Sequence, residues 1–177
     1  MATYSAPNIQ QLLARGADKT LMTKARGDAL EELLCYLLEA LPGVRTRRNS
    51  IDFFKSAEID IAVVNQKVAE WLSTFPNLFL IECKNWDKPV DSATVAAFKS
   101  KLDSRSIELG IIVATNGITG NEADRKSAYH IVDMAQAANR RILVITLEQL
   151  ETIHTTEDFE LLLVDRLLTL AATGGSF

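Results

Sequence analysis

Ile81-Glu82-Cys83-Lys84, taken together with Glu58-Ile59-Asp60-Ile61 upstream, is the stretch that decides the fold. Both segments sit in runs of β-branched and large apolar residues, Ile59 to Val64 and Leu78 to Ile81. Such runs read as strands of a buried sheet. Successive strand residues point to opposite faces, so Glu82 and Lys84 project from the same one. Asp60 meets them there if the two strands pair. A carboxylate in a core must find a cation or hydrogen bonds, because burying it bare is very costly. Two carboxylates and an ammonium would converge, the chemistry that holds a divalent metal and activates water.

The remaining composition sets bounds on this expectation. At 177 residues the chain is long enough for one domain with a proper core and short for two. The expected organisation is a single domain over 1–177, with a core at about 20–146 and closing helices over 147–172. No apolar run reaches the roughly 20 residues that cross a bilayer, so no membrane partner is expected. The first residues lack the basic start and apolar core of a secretory signal. Cys35 and Cys83 are the only cysteines and form neither a zinc spacing nor a disulfide framework. A reducing cytoplasm is the expected compartment.

Net charge is −4, which argues at first against nucleic acid. Its distribution answers the objection: residues 1–105 carry net +1 and residues 106–177 net −5. Basic residues flank the candidate strands, among them Arg45, Arg47, Arg48, Lys55, Lys88, Lys99, Lys101 and Arg105. Of these, Arg45, Arg47, Arg48, Lys99 and Lys101 are candidates for phosphate contact. The plainer reading of the three arginines is a solvated strand edge.

Helical periodicity predicts a short helix at Asn8–Leu13 with Asn8 as cap, then a long one from about Thr20 to Leu41. The long helix carries an apolar stripe at Leu30, Leu33, Leu34, Leu37 and Leu41 and is stopped by Pro42-Gly43. At about 100° per residue, Glu31 falls at the edge of the stripe and Glu32 nearly opposite it. Strands follow at Val44–Phe54, Glu58–Val64 and Leu78–Lys84, with a helical turn at Val68–Leu72. A helix at Ser92–Leu102, a strand at Gly110–Ala114, a helix at Asn121–Ala138 and a strand at Arg141–Ile145 come next. Helices from Leu147 and Glu157 close the order. Early strands can be antiparallel neighbours, whereas later ones need helical crossovers and so pair in parallel.

A helix with Glu, then Glu-x-Asp on one strand, Glu-x-Lys on the next, then a helix and a strand: this order resembles the PD-(D/E)xK nuclease superfamily. Within it the likeness is to the Mrr-type restriction endonucleases. The matching pieces are Gly27-Asp28-Ala29-Leu30-Glu31, Glu58-Ile59-Asp60, Glu82-Cys83-Lys84-Asn85-Trp86, and Gly110-Ile111-Ile112-Val113 running into Asn116-Gly117. They span about residues 24–146. The resemblance implies an α/β, restriction-endonuclease-like fold, a mixed sheet flanked by helices on both faces. It implies that Asp60 and Glu82 bind metal, with the backbone carbonyl of Cys83 as a further ligand. Lys84 would orient or activate water, and Glu31 would support the metal directly or through water. The implied cofactor is Mg²⁺, for which Mn²⁺ can substitute, and the implied partner is DNA. One departure stands out: many relatives carry a Gln in the helix after the Lys, and residues 92–105 contain none.

The expected activity is therefore metal-dependent hydrolysis of DNA phosphodiesters by an endonuclease, in restriction, defence or repair. Two alternatives share the fold: a non-catalytic DNA-binding or assembly subunit, and a junction resolvase. A homodimer suits symmetric cutting of two strands, and a subunit of a larger defence system is the other assembly expected. The plainer reading of Glu82 with Lys84 is an exposed ion pair on an edge strand. The order of Glu31, Asp60 and the buried run Phe79-Leu80-Ile81 favours the site over it. Glu58 reads as a rim salt bridge, His130 and His154 as structural, Trp86 as packing, and Asn116-Gly117 as a turn.

Overall fold

A computed structural model describes residues 2–51, 58–120 and 127–173. Helix α1 (Ala6–Ala17) begins at Ser5, with Pro7 in its first turn where a missing N–H costs nothing. Asn8 thus lies inside the helix and is not its cap. Helix α2 (Thr23–Glu39) buries Leu30, Leu33, Leu34, Leu37 and Leu38, and Leu41 beyond its end is buried too. Gly43 then turns the chain at φ +77, and a Cβ there would clash with Val68.

Strand β1 (Val44–Ile51) alternates between the core and solvent. The expected continuation to Phe54, like Lys55, lies outside the described residues. Strand β2 (Glu58–Asn65) pairs antiparallel with β1 and with β3 (Leu78–Lys84). The helical turn between them is a 3-10 helix at Glu70–Thr74. Buried Asn65 anchors it: its side-chain amide donates to the Leu72 carbonyl at 2.9 Å and accepts from the Lys67 N–H at 2.8 Å.

Helix α3 (Ser92–Ser104), capped by Asp91, crosses to β4 (Leu109–Ala114), which pairs parallel with β3. Helix α4 (Ala128–Ala137) crosses to β5 (Arg141–Thr146), parallel to β4. Asn121, the expected start of this helix, lies outside the described residues; Ser127 is extended and caps the His130 N–H, and α4 begins at Ala128. Helices α5 (Leu147–Glu151) and α6 (Thr156–Thr173) close the fold against β5. Strand order in the sheet is β1-β2-β3-β4-β5.

Both sheet faces are covered by helices. Leu80, Glu82 and Lys84 share a face with their partners Gly110, Ile112 and Ala114. Helix α3 lies on that face, since a Cβ at Gly110 would meet Phe98 and Leu102. Helix α2 takes the other face, because Arg48, which pairs with Ile61, reaches Asp28 and Glu31 of α2. This is the mixed α/β architecture expected from the strand and helix order. Among the described residues no helix is long and apolar enough to cross a membrane.

Candidate active site

The sheet ladder opens where the charged residues lie. Strands β2 and β3 pair from Val64↔Leu78 as far as Ile61↔Ile81. One step further, Asp60 stands opposite Glu82 on the α3 face. Here a side chain replaces the ladder: the Cys83 N–H donates to Asp60 Oδ2 at 2.7 Å. In a strand the N–H and C=O of one residue point toward the same neighbour, so the Cys83 carbonyl faces this gap as well. Two carboxylates and one carbonyl therefore border a single opening between the strands.

Two ammonium groups fill it. Lys84 Nζ lies 2.6 Å from Glu82 Oε1 and 3.7 Å from Asp60 Oδ2. Lys101, from α3, places its Nζ 2.7 Å from Glu82 Oε2. Both oxygens of Glu82 are thus occupied, and its side chain is only 8% exposed. Isolated burial of this carboxylate would be prohibitive; paired on both sides, it is tolerated. Asp60, Glu82, Lys84 and Lys101 together carry no net charge, so the mutual repulsion of two bare acids is already relieved.

Burial raises the pKa of Asp60, and the negative charge of Glu82 adds to the rise; Lys84 and the Cys83 N–H oppose it. Burial works to lower the pKa of Lys84, but Glu82 and Asp60 outweigh it and hold the group above its usual value. Lys84 is consequently an ammonium here. Cys83 is pushed well up by burial and by the neighbouring acids, which removes it as a thiolate nucleophile.

Glu31 and Glu32 take the helical phases expected of them only in part. Glu31 is buried, and its Oε2 accepts from Arg48 Nε at 3.0 Å. Burial raises its pKa against the pull of Arg48, with smaller contributions from Asp60 and Asp28. Glu32 is half-exposed, yet it pairs with Arg15 at 2.6 Å and Arg48 at 3.5 Å. Among the described residues no three His, Cys, Asp or Glu side chains converge as a metal cage. The donor set that does converge is two carboxylates and a carbonyl, all hard oxygens, and it suits Mg²⁺ or Mn²⁺ once an ammonium moves aside.

Of the basic candidates, Arg45 and Arg47 are exposed on β1. Arg48 is committed to Glu31, Glu32 and Asp28. Lys99 pairs with Asp103 at 2.7 Å, and Lys101 is a member of the cluster itself. Sequence reasoning placed Lys101 on a basic surface, although helical phase carried the better signal. It follows Phe98 by three residues and precedes Leu102, both fully buried, so it sits at the edge of the stripe facing the sheet.

Asn85 was also missed as a structural anchor. Its amide donates to the carbonyls of Gly16 (2.9 Å) and Arg26 (3.1 Å), and its oxygen accepts from Thr115 at 3.0 Å. The residue after Lys84 is thereby locked to α1, α2 and the end of β4. Beside it lies an open cleft of ≈ 510 Å³ lined by Arg26, Asn85, Trp86 and Lys88, among others. Trp86 is half-buried against the core and its carbonyl accepts from Asn116 at 2.6 Å, as a packing residue would. Gly117 turns at φ +67.

The family model of the Mrr catalytic domain, described as a restriction endonuclease, matches residues 22–153. That is about three quarters of the chain, from α2 through the end of α5. A comparison with curated proteins finds no match.

Proposed function

From the premise that this chain belongs to the Mrr catalytic-domain family of restriction endonucleases, and so is a nuclease of that type, we propose that it is a divalent-metal-dependent DNA endonuclease. Asp60, Glu82 and the Cys83 carbonyl hold the cation, with Mg²⁺ the resident ion and Mn²⁺ able to replace it. Lys84 is the residue that orients the attacking water, and Glu31 adds buried negative charge behind Asp60. The opening of the β2–β3 ladder, where Asp60 faces Glu82 and takes the Cys83 N–H, carries this reading.

A hard dication on such donors offsets charge developing on the phosphoryl oxygens and lowers the pKa of bound water. The protein's own groups do the rest. Lys84 stays protonated between two carboxylates, so it acts as a hydrogen-bond donor that aims water and balances charge. Asp60 Oδ2 is held by the Cys83 N–H, which fixes the orientation of the carboxylate toward a ligand. Arg45 and Arg47 are exposed on the same strand whose neighbour carries Asp60, and are suited to tracking a phosphate backbone. The proposed setting is the cytoplasm, in restriction, defence or repair, with a homodimer as the assembly that cuts both strands.

The deciding experiment offers linear duplex, supercoiled plasmid, single strand and a four-way junction with Mg²⁺, Mn²⁺ or chelator. Metal-dependent cleavage that disappears in Asp60→Asn and Glu82→Gln is the expected result. Preference for the junction would make the protein a resolvase. Tight duplex binding without cleavage in either metal would establish the non-catalytic alternative.

A further inference from the structure

The reading of Glu82 as a cation ligand leaves one feature unexplained: the second lysine. Lys84 belongs to the same strand as Glu82 and lies between both acids. Lys101 comes from α3, pairs among the described residues with Glu82 but not Asp60, and closes the oxygen that Lys84 leaves open. With both ammoniums in place the four charged groups sum to zero, and a dication would enter a site that offers it no net attraction. Removing one ammonium changes the site to net −1. The two lysines are not equally able to leave. Lys84 is bracketed by two carboxylates on its own sheet, whereas Lys101 reaches in from a separate helix and, among the described residues, forms an ion pair with Glu82 only.

We infer that Lys101 is an internal counter-ion that blocks Glu82 until a DNA phosphate takes its ammonium, so that cation and DNA bind cooperatively. This rests on the proposed cation site and names its regulation. A phosphodiester brought to the gap supplies the anion that Lys101 needs when it releases Glu82. Glu82 Oε2 is then free for the cation, and the same ammonium anchors the substrate. By linkage, whatever factor DNA adds to cation affinity, the cation adds to DNA affinity. Without DNA the cation binds more weakly, which limits indiscriminate hydrolysis.

A plain structural salt bridge makes a different prediction, and calorimetry separates the two. Ca²⁺, a hard dication taking the same oxygen ligands, is titrated into wild type, Lys101→Met, Lys101→Arg and Lys99→Met, each with and without a short duplex. Wild type should bind Ca²⁺ about tenfold more tightly with duplex than without, within the range of coupled sites. Lys101→Met should bind Ca²⁺ about tenfold more tightly than wild type when DNA is absent, and gain little from adding it. Lys101→Arg keeps the charge and should match wild type, and Lys99→Met, whose partner is Asp103, should match wild type in its DNA-free Ca²⁺ affinity. Should the methionine variant not fold by circular dichroism, Lys101→Gln is read in its place. Equal DNA-free affinity in wild type and the neutral variants overturns the counter-ion role while leaving the cation site standing. Absence of Ca²⁺ binding in wild type under both conditions overturns the cation site and the inference together.

Discussion

At the scale of single residues, the chemistry turns on which charges are spoken for. Lys84 is 18% exposed and sits between two acids that keep it protonated. Lys84→Ala should leave DNA binding largely intact, changing its salt dependence by at most about one phosphate contact. Turnover should fall about 10²-fold or more, roughly 3 kcal/mol of barrier, as when a positioned catalytic contact is lost. Lys84→Arg should rescue poorly, because a planar guanidinium does not fit the geometry of a point-charge ammonium. Cleavage rates of both variants at matched salt provide the check, and full activity in Lys84→Ala would remove the residue from the site. Glu32 shows how a neighbour alters a residue's meaning. Helical phase sends it toward water, but its pairs with Arg15 and Arg48 make it part of the network that holds Glu31.

At the scale of elements, the position of α3 decides whether the site assembles. Its distance from the sheet is set at Gly110, where an added Cβ would come within 2.5 Å of the Phe98 ring and 2.8 Å of Leu102. Gly110→Ala should therefore cost about 1–3 kcal/mol by overpacking and push Lys101 away from Glu82. Gly27 in α2 makes the contrast, since a Cβ there meets nothing within 4 Å. Gly27→Ala should stabilise by up to about 1 kcal/mol, the ordinary gain in a helix interior. Denaturant midpoints of the two variants should move in opposite directions. Equal shifts would mean that the close approach at Gly110 is relieved by side-chain rearrangement.

For the molecule as a whole, the first described residues are tied to the start of α6. Thr3 bridges to Thr155, the Tyr4 N–H donates to the His154 carbonyl, and the Thr156 N–H to that of Ala2. Tyr4 also donates its hydroxyl to the Leu37 carbonyl in α2 at 2.9 Å, so the tie reaches the core. The start of α6 at this junction depends on Asp158. Its carboxylate accepts the N–H groups of His154 and Thr155 at 3.0 and 2.8 Å, and its own N–H donates to Thr155 Oγ1. Those N–H groups hold the Asp158 pKa below its usual value. A carboxylate depressed on folding contributes stability above its unfolded pKa, about 3.9, and loses it as pH falls through the lower native value. Asp158→Asn should therefore melt below wild type at neutral pH, and the gap should close as the solution is acidified below about pH 4. A gap that persists unchanged in acid would show that the carboxylate charge is not what secures the cap.

What the sequence determined by itself was everything that depends on periodicity and order along one strand or helix. The Leu30-to-Leu41 stripe, the buried run into Glu82, and the common face of Glu82 and Lys84 follow from backbone geometry that repeats every few residues. The succession of elements was enough to separate an antiparallel start from a parallel finish, because short and long connections permit different pairings. Tertiary structure alone decided which partner each charge takes. Lys101 lies 19 residues from Glu82, Arg48 lies 17 from Glu31, and Asn85 lies 69 from Gly16. No periodicity links positions so far apart; the contacts arise only when a helix settles on a sheet at a depth set by the residues between them. The start of α4 escaped for a related reason. The extended backbone of Ser127 and the hydrogen bond its side chain accepts from the His130 N–H set the helix start at Ala128, a local competition that hydrophobic pattern does not encode.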